Sequence, residues 1–76
     1  MKELVEVIAK SLVNNPDAVV VAEDTTDNEV HLSLSVDPSD IGKVIGRGGR
    51  IAKAIRTVLK VAGTKEDKKV TLDILE

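Results

Sequence analysis

The sequence predicts a two-layer α+β fold with elements in the order α-β-β-α-α-β, three helices covering one face of a three-stranded mixed sheet. Three observations carry this. Apolar residues recur at spacings of three and four near the N-terminus and again beyond residue 50, the period of a helix with one buried stripe. Three short segments are β-branched or alternate apolar with polar residues, the period of strands. A glycine cluster, Gly46-Arg47-Gly48-Gly49, interrupts the second helical stretch and divides it in two. A chain of 76 residues can bury about 60 % of the surface it exposes when unfolded, so one core and a single domain over residues 1–76 are expected.

Residues 2 to 13 place Leu4, Val5, Ile8 and Leu12 on one stripe, with Lys2, Glu3, Glu6 and Lys10 between them, and Asn14-Asn15-Pro16 ends this helix. Ala18 to Ala22 is short, β-branched and bounded by Asp17 and Glu23, which reads as a buried strand. Asp24 to Asn28 is a polar turn. Val30, Leu32, Leu34 and Val36 then alternate with His31, Ser33 and Ser35, so the two strands should form a hairpin. Asp37 can cap a helix with Pro38 at its first position and Asp40 in its first turn, where the dipole favours a carboxylate. That helix is short, Ser39 to Ile45. Beyond the glycines, Ile51, Ala54, Ile55, Val58, Leu59 and Ala62 form the stripe of a longer helix that stops at Gly63, a C-terminal cap. Lys65 to Lys68 is a charged turn, and Val70, Leu72 and Ile74 alternate with Lys69, Thr71 and Asp73 in a last strand. The two-helix crossover makes this strand parallel to the second one. The far sheet face, bearing His31, Ser33, Ser35, Thr71 and Asp73, is left to solvent.

Composition narrows the chemistry. Without cysteine there is no disulfide, thiolate metal cluster or thiol nucleophile, which suits a cytoplasmic protein. Without any aromatic residue there is no stacking platform for bases. The longest apolar run, Ala18 to Ala22, falls far short of the ~20 residues of a membrane-spanning helix, and Met1-Lys2-Glu3 does not begin a secretory signal. The net charge of -2 conceals an asymmetry. Residues 39 to 60 hold Lys43, Arg47, Arg50, Lys53, Arg56 and Lys60 against Asp40 alone, while the rest carries five basic and twelve acidic residues. A basic segment on an acidic body suggests a localised anion site.

The glycine cluster supplies one. The first amides of a helix starting near Gly49 lack intrahelical partners and carry the positive end of its dipole, so they can hold a phosphate. Glycine at 46 and 49, the expected sites of special backbone geometry, lets a nucleic-acid backbone come close, and Arg47 adds charge. A dinucleotide fingerprint would need glycine where Ile51 stands, and a P-loop would need Gly-Lys-Ser/Thr, which is absent.

The window Val44-Ile45-Gly46-Arg47-Gly48-Gly49-Arg50-Ile51-Ala52-Lys53-Ala54-Ile55 resembles the signature of the KH RNA-binding domain: an apolar pair, Gly-x-x-Gly, then an apolar helix. The element order is that of the type II, or prokaryotic, KH topology, and the length is similar to that of the small stand-alone bacterial KH proteins of the KhpA family. The resemblance implies single-stranded RNA held in a groove between the two helices, their loop and the sheet edge, about four nucleotides wide. It also implies a homodimer, or a heterodimer with a larger KhpB-like RNA-binding protein. By position, Gly46 and Gly49 match the two fixed glycines, Arg47 and Gly48 the variable pair, and Ile45 and Ile51 the apolar residues that wall or anchor the groove.

Lys43, one turn before Arg47, and Arg50 and Lys53, just after the loop, complete the candidate RNA site. Arg56 and Lys60 read equally well as a solvated helix face. Gly42 and Gly46, four apart, suggest a close helix packing. His31 is expected in solvent, and the acidic turn Glu23 to Glu29 lacks the spacing of a calcium loop. No metal or cofactor is called for, and no paired carboxylates stand near the loop, so an enzyme is the weakest reading. The expectation is an RNA-binding module serving as a post-transcriptional regulator or RNA chaperone. The competing reading is a protein-protein adaptor or dimerisation module using the same groove or the open sheet face. With no aromatics, affinity would rest on phosphate contacts, aliphatic contact with bases and hydrogen bonds to base edges, which gives weak sequence selectivity.

Overall fold

The computed structural model describes residues 1–75 and has the expected element order: α1 (Lys2–Leu12), β1 (Val20–Thr25), β2 (Glu29–Ser35), α2 (Ile41–Ile45), α3 (Arg50–Lys65) and β3 (Lys69–Ile74). Short 3-10 turns occupy Pro16–Ala18, Pro38–Asp40 and Arg47–Gly49. The sheet order is β1-β2-β3; β1 pairs antiparallel with β2, Val20 opposite Ser35, and β2 pairs parallel with β3, Val30 opposite Val70. Val30, Leu32 and Leu34 of the central strand and Leu72 of β3 point into an all-aliphatic core with Val5 and Ala9 of α1, Val44 of α2, and Ile55 and Leu59 of α3. Among the described residues no helix is long and apolar enough to cross a membrane.

Four local expectations are corrected. The strand expected at Ala18 to Ala22 begins at Val20 and runs to Thr25, because Pro16 opens a 3-10 turn in which Val19 N–H donates to the Pro16 carbonyl at 3.1 Å. Nor is it a buried strand. Only Val21 is buried and Val20 is 60 % exposed, since β1 is an edge strand with one face open to solvent. Gly63 lies inside α3 and does not cap it: a Cβ there would stand 2.6 Å from both the Lys68 carbonyl and Val70 Cγ2. The helix stops beyond it, where Lys68 N–H donates to Gly63 O and Asp67 N–H to Thr64 O, with Asp67 itself left-handed at φ 58. Gly42 has open space where its Cβ would be, so the Gly42/Gly46 pair does not make the close packing expected of it.

Asp40 has a role beyond the expected one. Asp37 does cap its turn, accepting from Ser39 N–H at 2.9 Å. Asp40 stands in the first turn as expected, directly before α2, but it is also buried, and its carboxylate accepts from the Asn14 and Asn15 amides and the Asn15 side chain at 3.0–3.2 Å. Lys43 Nζ lies 3.5 Å away. The carboxylate thus fastens the end of α1 to the start of α2. Burial alone would raise its pKa, but the Asn15 side chain, the two backbone amides and Lys43 together outweigh this and hold it below the ordinary value.

Candidate nucleic-acid interface

The loop between α2 and α3 is shaped by three glycines with positive φ: Gly46 at 77°, Gly48 at 64° and Gly49 at 77°. Gly46 is the most constrained. Its ψ of 171° places it in a region that is essentially glycine-only, and a Cβ there would fall 2.6 Å from Ile51 Cγ1. This glycine therefore admits Ile51, whereas the sequence suggested that it admitted a ligand. Gly48 and Gly49 have nothing within 4 Å of the Cβ position, so the loop's open surface lies there. Special geometry, expected at Gly46 and Gly49, extends to Gly48.

The amide inventory also moves by two residues. Gly49 N–H donates to Gly46 O at 3.1 Å and Arg50 N–H to Arg47 O, closing the 3-10 turn. The amides of Arg47 and Gly48 make no backbone hydrogen bond among the described residues. A phosphate would thus meet the variable pair of the loop at the entrance to α3, and not the amides of Gly49 and Arg50. Arg47 is an exposed residue of the same loop and, among the described residues, has no carboxylate within 4.0 Å.

Helix α3 sorts the remaining cations. Its core stripe is Ala52, Ile55, Leu59 and Gly63. On one side of it, Arg56, Leu59, Lys60 and Thr64 form one wall of a cavity of about 590 Å³ whose other wall is β3, from Lys69 to Asp73. Lys53 shares that flank, three residues before Arg56 and seven before Lys60. The Arg56 Nε–H donates to the Leu72 carbonyl at 3.2 Å, which fixes this side chain against the strand. On the other side, Arg50, Ile51, Ala54 and Val58 face Ile8 and Leu12 of α1 across an apolar groove of about 330 Å³.

The expected site residues are therefore divided. Gly46, Arg47, Gly48, Gly49 and Lys53 lie at the loop or on the β3-facing flank. Arg50 lines the apolar groove facing α1. Lys43 has the Asp40 carboxylate as a neighbour. Ile45 and Ile51 are half-buried against the core, and Ile51 anchors the loop through its contact at Gly46. The groove also contains residues outside the expected site: Arg56, Lys60, Lys68 and Lys69. A helical wheel from residue 50 onward would have placed Arg56 and Lys60 beside Lys53, but nothing local says which flank the last strand adjoins. His31 is exposed as expected, yet partnered: its Nδ1 lies 2.7 Å from Thr71 Oγ1 and its Nε2 3.2 Å from Asp73 Oδ2, on the open sheet face.

This arrangement coincides with strong similarity to known proteins. The family model described as KhpA/KhpB, KH domain, matches residues 2–74. A protein of Clostridium perfringens named RNA-binding protein KhpA is 59 % identical over 75 residues, covering 99 % of this chain and all of the relative. Relatives of the same name from Halalkalibacterium halodurans and Aquifex aeolicus are 51 % and 50 % identical over 76 residues, covering all of this chain and 100 % and 96 % of theirs.

Proposed function

The chain belongs to the KhpA/KhpB family of KH domains, and from that premise we propose that it binds short single-stranded RNA beside the Gly46-Arg47-Gly48-Gly49 loop. The observation that carries the reading is the pair of unpartnered amides at Arg47 and Gly48, presented by left-handed glycines at the start of a 16-residue helix. Two free N–H groups and the positive helix end offer a phosphate its place, and the Arg47 side chain on the same loop adds its charge. Lys53 and Arg56 continue the positive potential into the groove, and the β3 backbone offers donors and acceptors to base edges. Only a single strand can turn its base edges and faces into the groove, so a duplex is disfavoured. Loop contacts to phosphate do not separate RNA from DNA, so that discrimination is modest.

The protein acts in this reading as a single KH module and a binder, not a catalyst, in the cytoplasm, with a role in post-transcriptional regulation or as an RNA chaperone. One short groove gives little affinity alone, and a second module in the assembly raises it. The apolar groove between α1 and α3, with Val58 46 % exposed at its rim, is the surface best suited to a second copy or to a KhpB-like partner.

Fluorescence anisotropy with a labelled single-stranded RNA, competed by the same RNA unlabelled or by a duplex of equal length, tests the proposal. The single strand should compete and the duplex should not. Equal competition would replace the groove by a nonspecific basic surface.

A further inference from the structure

The groove does not end at the loop's immediate neighbours. From Arg50 to Thr64, α3 rises roughly 20 Å, and its flank stays basic throughout: Lys53, Arg56 and Lys60 along the helix, then Lys68 and Lys69 where β3 begins beneath its last turn. Among the described residues Asp73 is the one acid that lines this cavity, and its carboxylate faces His31. Glu29 stands opposite Lys69 in the sheet register, yet, among the described residues, none of Lys60, Lys68 and Lys69 has a carboxylate within 4.0 Å. Three cations without a carboxylate partner among the described residues thus line one cavity, beside Arg56, in a protein whose net charge is -2.

We propose that the end of the α3/β3 groove remote from the glycine loop, at Lys60, Thr64, Lys68 and Lys69, is a second phosphate-binding subsite, so that a single RNA strand runs past the loop site and along the whole helix flank. The inference rests on the RNA-binding reading above and extends it in length. At about 3.4 Å per phosphate, the spacing of a stacked strand, 20 Å spans roughly six phosphates, more than the four nucleotides that a Gly-x-x-Gly loop clamps. The Thr64 hydroxyl already donates to Lys60 O at 2.9 Å, so the lysines are the groups that hold the anion. Val70, half-buried, lines the groove between the two poles and offers aliphatic contact to bases, with the buried Leu59 and Leu72 behind it.

The test compares RNA of four and eight nucleotides, by anisotropy at several salt concentrations, on the full chain and on Lys60→Gln/Lys69→Gln. Both lysines are exposed, and circular dichroism checks that the variant folds. With the eight-nucleotide RNA, the double variant should flatten the log-log salt slope by about 1.4, two phosphates at about 0.7 each, and weaken binding several-fold. With the four-nucleotide RNA it should match the unaltered protein. The unaltered protein alone gives a second reading: its slope should steepen from the short to the long RNA, which extra binding registers on a longer strand cannot cause. A long-RNA slope unchanged by the substitutions, or an equal loss at both lengths, would overturn the second subsite while leaving the loop site standing. Failure of both RNAs to bind would overturn the loop reading and the extension together.

Discussion

Helix α3 carries two unlike flanks on either side of one core stripe. The flank toward β3 bears Lys53, Arg56, Lys60 and Thr64, whereas the flank toward α1 bears Ile51, Ala54 and Val58. Both adjoin one buried stripe, at Leu59 on the side of β3 and at Ile55 on the side of α1, so the difference owes nothing to the core. It lies in what each flank faces: a strand edge with backbone polar groups on one side, and the apolar stripe of another helix on the other. A helix in this small domain can thus serve a charged ligand and an apolar partner at once, about a quarter turn either side of its buried face.

The flanks meet at Gly46, which sets the largest expected effect. Ile51, from the apolar flank, packs where a Cβ at 46 would be, and the backbone there is in a glycine-only region. Gly46→Ala should cost about 3 kcal/mol and lower Tm by roughly 15 °C, with RNA binding lost although no charge has changed. Thermal melts read by circular dichroism check this. A wild-type Tm would mean that the loop reshapes freely and that the two flanks are independent.

Next in size is Arg47→Asp/Gly48→Asp, which sets two carboxylates beside the two free amides. RNA binding should collapse while the apolar flank, and any self-association through it, is untouched. With special geometry at Gly46 and Gly49 alone, as the sequence suggests, Tm would move little. Because Gly48 has φ 64, an aspartate there costs about 1 kcal/mol, so a fall of a few degrees is expected. Retained affinity in the folded variant would move the site away from the loop.

Asp40 supports only one side of the comparison, since it fastens α1, a wall of the apolar groove, to α2. Its folded pKa is depressed, so its contribution is present above the unfolded value of 3.8 and is lost as the pH falls through the lower folded value. Asp40→Asn puts an N–H against backbone amides and removes the partner of Lys43. Its melting point should therefore lie below that of the unaltered protein by a constant gap between pH 7 and 5, and the gap should close below pH 3.8. A gap that widened on acidification would mean a carboxyl already protonated in the fold.

Much of this was legible in the sequence, and the boundary is physical. Period and turn chemistry placed all six elements and the topology, because burial of one stripe or one face leaves a local pattern. Gly-x-x-Gly between two apolar stretches marked the loop. Three things left no such mark. Val20 and Val21 are the same residue type, and only the side of the sheet that the helices cover decides which of them is buried. Gly63 looks like a cap until Val70 is seen to come back beneath it. Asp40 reads as a first-turn carboxylate and nothing more because its hydrogen-bond partners, Asn14 and Asn15, lie about 25 residues earlier. The division of α3 into flanks is of the same kind: the wheel separates Arg56 from Val58, but their neighbours come from opposite ends of the chain.

That pair supplies the finest test. Arg56→Gln removes one cation from the basic flank and the hydrogen bond to Leu72 O, a net contribution of about 1 kcal/mol to stability. On RNA it should flatten the log-log salt slope by about 0.7, one phosphate on a single strand, with no change in molecular mass by light scattering. Val58→Asp, two residues along, should do the reverse. It places a carboxylate on the rim of the apolar groove, so any dimer seen with the unaltered protein should dissociate, while the salt slope for a four-nucleotide RNA stays as it was. If Val58→Asp flattened that slope as much as Arg56→Gln, the two flanks would be one surface, and charge anywhere on α3 would govern RNA binding.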